Sequence, residues 1–209
     1  MEQKQKLFKW LSVIFLGVGF LTYVAYLFCR KPAGMSGGDY EHIGWFIFDV
    51  FMIGGALLGL LWPAKFEKLG GFCIVGLSFA NLVMSAVGGT GAILYATNPD
   101  FKGDPVVFWM QFFEGLVSMI AIVAIVMVLA FPKATKILGP VAVFAFIALG
   151  LLALIEGIYA FTPAGTGATY PRPWAWGVDL TAVALIVFGL AFGLLRYSYL
   201  LKPDFEAKE

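Results

Sequence analysis

Six long apolar runs, at 7–29, 43–62, 70–96, 105–131, 140–161 and 174–195, alternate with short polar segments along the chain. Each is close to the ~20 residues that a helix needs to cross the hydrocarbon core of a bilayer. The segments between them, such as RKPAGMSGGDYEH at 30–42 and TPAGTGATYPRP at 162–173, are rich in Gly and Pro and leave no room for a domain outside the membrane. The pattern predicts an all-α integral membrane bundle of six transmembrane helices, forming one domain over 1–209.

The first run follows Lys4, Lys6 and Lys9, as a signal peptide would, but it is followed by Arg30-Lys31-Pro32 rather than a small-residue cleavage site. It is expected to stay in place as an anchor. Counting cations at alternate ends of the runs sets the orientation. One side collects Lys4, Lys6, Lys9, Lys65, Lys68, Lys133, Lys136, Arg196, Lys202 and Lys208; the other has Arg30, Lys31, Lys102 and Arg172. The excess places both termini in the cytoplasm of a multi-pass protein of the cell (plasma) membrane. Trp45, Trp109, Trp174 and Trp176 fall at the outer ends of the runs, and Trp10 and Trp62 at the inner ends, where amphipathic rings sit at headgroup level.

Composition removes the soluble alternative. The chain is 61% hydrophobic and 13% charged, against about 45–50% and about 25% in soluble domains. A net charge of +1 leaves no basic excess for phosphates, so nucleic acid is not an expected partner. Cys29 and Cys73 form neither a disulfide framework nor a metal knuckle.

Three acids inside the apolar runs, Asp49, Glu114 and Asp179, recur at intervals of 65 residues. Each lies in the second helix of a hairpin, and each hairpin has an aromatic residue four before a proline: Phe28 to Pro32, Tyr95 to Pro99, Tyr159 to Pro163. Three tandem hairpins, at approximately 7–66, 70–132 and 137–201, account for this spacing. They enter and leave on the same side, so the repeats are parallel, whereas inverted repeats are the commoner mark of alternating-access transporters.

With Glu156 of the fifth run, these acids lie roughly two turns in from the outer surface, where a closed bundle would gather them into a layer. A carboxylate at mid-membrane costs about 2.5–3.5 kcal/mol on insertion scales and is usually functional. No Lys or Arg shares that depth, so the available compensations are protonation, a bound cation, a partner subunit, outer-loop cations such as Arg30 or Arg172, or hydrogen bonds from Asn81, Gln111, Tyr159, Tyr26 or indole N–H groups. Asp49, Glu114, Glu156 and Asp179 are therefore candidate proton- or cation-binding residues, with Asn81, Gln111 and Tyr159 in support. The bland alternative is that the acids hydrogen-bond across helices and set packing.

Gly55 and Gly59, and likewise Gly189 and Gly193, form GxxxG pairs that let helices approach closely. Gly88-Gly89-Thr90-Gly91 offers a place where the third helix could kink or unwind and expose carbonyls. A single histidine, His42, cannot supply a bis-histidine haem or a multi-histidine copper or di-iron centre, and no cofactor is expected. The chain lacks G-x-S-x-G, Walker, G-x-G-x-x-G and H-E-x-x-H motifs, which points away from an enzyme acting alone.

At YATNPDFKGDP (95–105), its counterpart at 159–173 and the Gly103-Asp104-Pro105 motif, the sequence resembles an uncharacterised prokaryotic, mainly archaeal, family of membrane proteins, domain of unknown function 981. The resemblance spans helices three to six and implies only a multi-helix membrane protein, with no functional residue to carry over. Two functions follow from the residues themselves. The first is a non-catalytic subunit of a larger respiratory or other energy-converting membrane complex, packing against partner subunits, a second copy or lipids. The second is a small proton- or cation-linked transporter or channel using the intramembrane carboxylates.

Overall fold

A computed structural model describes residues 2–29, 37–96, 104–131, 135–162 and 173–197. They form six helices: α1 (Glu2–Cys29), α2 (Gly37–Leu61), α3 (Pro63–Ala96), α4 (Pro105–Ala130), α5 (Thr135–Ala160) and α6 (Pro173–Tyr197). Among the described residues there is no strand. Five helices carry stretches long and apolar enough to cross a membrane; in α2 the corresponding stretch, Phe46–Leu61, is shorter.

Proline sets several of the boundaries. Pro63 disfavours helical backbone at Trp62, so α2 stops there, yet proline is tolerated in the first turn of a helix and α3 starts at once. The amides of Lys65 and Phe66 donate to the Trp62 carbonyl at 3.1 Å and close the reversal. At 34 residues, α3 is about 50 Å long at 1.5 Å per residue, well beyond the hydrocarbon core, and its extra turns carry Lys65, Glu67 and Lys68. It also runs through Gly88, Gly89, Thr90 and Gly91 without a break. The Thr90 hydroxyl donates back to the Ala86 carbonyl at 2.9 Å, and the helix is not unwound there. α5 continues through Pro140, starting one turn earlier than its apolar run.

The start of α4 shows why Asp-Pro stands there. Asp104 has extended backbone, and its Oδ1 accepts the Val106 amide at 2.8 Å, as an N-cap does. Pro105 occupies the first turn, where a missing N–H costs nothing. The other carboxylate oxygen, Oδ2, accepts the Tyr159 hydroxyl at 2.6 Å, so the cap also ties α4 to the end of α5.

Each helix from α2 to α6 packs against its predecessor, α6 returns to pack on α1, and α3 meets α6 across the middle. The result is a closed ring in which α1 leans on α6 and touches α2 only lightly. Its centre is filled by Leu16, Ile53, Ile74, Leu77, Phe146, Leu149, Val187 and Leu190. Small residues mark the close crossings. A Cβ on Gly59 would collide with the Gly70 backbone, one on Gly89 would sit 2.5 Å from the Gly115 Cα, and one on Gly189 would sit 2.8 Å from the Leu16 amide nitrogen. Gly55 faces the Cys73 thiol, and Gly193 faces Ile74 and Ser12. The Ser12 hydroxyl donates to the Gly189 carbonyl at 2.7 Å, a buried bond across the α1–α6 seam.

The outward faces are as apolar as the centre. Phe51, Phe72, Ile137 and Phe144 are each at least 70% exposed, on three different helices. Soluble monomers rarely expose contiguous apolar patches beyond a few hundred Å², whereas a lipid-embedded bundle must present such a surface. Trp10 and Trp62 are exposed toward one end and Trp109 toward the other. The chain is a membrane-embedded helical bundle in contact with lipid.

Candidate functional site

A half-open cavity of about 250 Å³ lies among α1, α2, α3 and α6, with the exposed Met84 at its edge. Helical periodicity accounts for its walls: Leu77, Ala80, Asn81 and Met84 are one face of α3, and Asp179, Val183 and Ile186 one face of α6. Tyr23 of α1 and Asp49 of α2 complete it. The space falls at the loosest seam of the ring. Stacking of Phe20 on Phe46 at 6.2 Å and the tilted pair Tyr23–Phe46 at 6.3 Å put bulky rings between α1 and α2, where other seams have glycine. Asn81 donates its amide N–H to the Leu77 carbonyl at 2.9 Å. That bond orients the side chain and leaves its oxygen as an acceptor for anything in the cavity.

The structure therefore brings Asp49, Asp179 and Asn81 to one cavity but does not gather all four candidate acids there. Glu114 of α4 and Glu156 of α5 are within electrostatic reach of one another, between the neighbouring pair of helices. Glu156 is almost fully buried. Glu114 is partly buried, and its Oε1 is enclosed without a hydrogen bond. Ser118, one turn further along the same face of α4, is fully buried and its hydroxyl also makes no hydrogen bond. Depth separates Asp49 from Glu114 as well. With Gly59 against Gly70 on α3, Asp49 falls beside Ala80; with Gly89 against Gly115, Glu114 falls beside Thr90. Ten residues of helix is about 15 Å. Asp49 and Asp179 share a cavity, and Glu114 and Glu156 face one another outside it.

Gln111 lies half-buried on the same face of α4 as Glu114 and Ser118. Tyr159 serves a different carboxylate from those expected, bonding Asp104 at the outer end of α4 and α5. Tyr26 packs with Tyr23 and Ala182 next to the cavity. Three contributors escaped the sequence reading: Tyr23, Ser118 and the cap Asp104. The Asp-Pro dipeptide was a usable signal for the last, whereas an aromatic or a serine in an apolar run carries none. The side chains of His42, Trp45, Trp174 and Trp176, and Cys29, lie outside the described side chains. Among the described residues no group of three or more His, Cys, Asp or Glu could hold a metal ion, and Cys73 is buried as a free thiol.

Fold and site together define a helical membrane protein with an acid-lined cavity between its helices. No protein-family model matches the chain, and comparison with curated proteins and with solved structures finds no match.

Proposed function

We propose that the protein is a small proton- or cation-linked transporter or channel of a cell membrane, crossing it six times with both termini in the cytoplasm and built from three tandem hairpins. The observation that carries this reading is the cavity walled by Asp49 and Asp179. The ring itself is closed by glycine seams and an apolar centre. Carboxylates in a lipid-embedded bundle oppose insertion, and an unfilled space forfeits packing. Keeping both at one place is the signature of a ligand site. Among the described residues no cationic side chain lines the cavity, so an incoming cation meets no like charge there. Although the apolar part of α2 is short, the whole helix is 25 residues, enough to span about 37 Å.

A second reading, a non-catalytic subunit of a larger complex or a homo-oligomer, draws support from α4. Among the described residues that helix packs chiefly on α3 and α5, and its outer face presents Trp109, Phe113, Leu116, Ile120 and Val123. Extraction in a mild detergent, native mass measurement and reconstitution into liposomes separate the two. Proton or alkali-cation flux that is lost in Asp49→Asn and Asp179→Asn, with the native mass unchanged, supports the transporter. Unchanged flux after both substitutions refutes it, and purification in fixed ratio with larger subunits supports the second reading.

A further inference from the structure

The cavity has the shape and lining for one class of cation. Its volume of about 250 Å³ is roughly eight times the ~30 Å³ share of a water molecule, far more than a bare ion fills. Hard metal ions need a shell of six or more oxygens, and the two carboxylates cannot both contribute to one. On the α3 scale Asp49 falls beside Ala80, while Asp179, counted from the Gly193–Ile74 contact, falls beside Gly88. Eight residues of antiparallel helix place them about 12 Å apart along the bundle. Between these polar ends the walls are apolar: Leu77, Met84, Val183 and Ile186.

We infer that the cavity binds an aliphatic ammonium ion, its charged head on Asp49 and its hydrocarbon body along the apolar wall toward Asp179. Three acceptors suit the three N–H donors of an ammonium group: the two carboxylate oxygens of Asp49 and the Asn81 oxygen that the Leu77 bond leaves available. The Tyr23 ring adds a π face for the cation. The second carboxylate, at the far end, receives the second ammonium of a diamine, so a diammonium ion binds more tightly than a monoammonium ion of the same length. The inference rests on the cation reading above and names its substrate class.

The test is thermal unfolding of the purified full chain in mild detergent with 1,6-diaminohexane hydrochloride, n-hexylammonium chloride, NaCl or KCl at matched ionic strength. A ligand at about 100 times its Kd raises the midpoint by several degrees. The expected result is such a rise with both amines, at lower concentration for the diamine, and none with Na⁺ or K⁺. It disappears in Asp49→Asn and in Ala80→Phe, which fills the cavity while keeping both acids, so failure of either variant to fold leaves the other. If Na⁺ or K⁺ raises the midpoint through Asp49 and the amines do not, the ammonium inference is overturned while the cation reading stands. A rise with the amines that persists in the folded variants places binding elsewhere and overturns it too. If no cation has any effect, both fall.

Discussion

The bond between Tyr159 and Asp104 offers a quantitative test of how α4 and α5 are joined. Asp104 does two jobs: Oδ1 caps α4 through the Val106 amide and Oδ2 accepts the Tyr159 hydroxyl. An N-cap contributes about 1 kcal/mol. A hydrogen bond to a charged group contributes about 1.5–3 kcal/mol when shielded, and partial exposure at the helix end reduces that to about 1 kcal/mol. Tyr159→Phe should therefore cost about 1 kcal/mol and Asp104→Ala about 2 kcal/mol. The double variant should cost no more than Asp104→Ala alone, because the tether is already gone. A double-mutant cycle from reversible unfolding in detergent reads this as a coupling of about 1 kcal/mol. Asp104→Asn keeps a capping oxygen and should lose mainly the charge. Strict additivity of the Tyr159 and Asp104 substitutions would refute the contact.

Other consequences follow from the seams and the buried polar groups. Gly115→Val should cost more than about 2 kcal/mol, because its Cβ would lie 2.6 Å from the Gly89 Cα and backbone cannot yield as a side chain can; a variant as stable as the parent would show that α3 and α4 do not cross there. Gly88 has open space around it within a continuous helix, so Gly88→Ala should stabilise by about 0.5–1 kcal/mol, and measured destabilisation would restore the unwound alternative. Ser12→Ala removes one interhelical hydrogen bond and should cost about 0.6–1.7 kcal/mol in unfolding experiments; no loss would argue against the α1–α6 register. Glu114→Gln keeps the size of the side chain and removes its capacity to ionise beside Glu156, so stability at neutral pH should hold; a clear fall would mean that the carboxylate has a partner.

The amino-acid sequence by itself determined the helices. In an apolar run of ~20 residues the backbone must satisfy its own hydrogen bonds, so the periods between Gly- and Pro-rich breaks predict the elements with little help from packing. The small residues were also legible, since Gly55, Gly59, Gly189 and Gly193 stand out by spacing alone. The ring order, the register of each seam and the grouping of the acids belong to the tertiary structure. A carboxylate's neighbours depend on how far its helix is rotated and slid against the next. Those two quantities are set by where Gly89 meets Gly115, where Gly193 meets Ile74, and where Phe20, Tyr23 and Phe46 prevent close approach. Equal spacing along the chain put Asp49, Glu114 and Asp179 in one class. Unequal seams in space put Asp49 and Asp179 on a cavity and left Glu114 with Glu156.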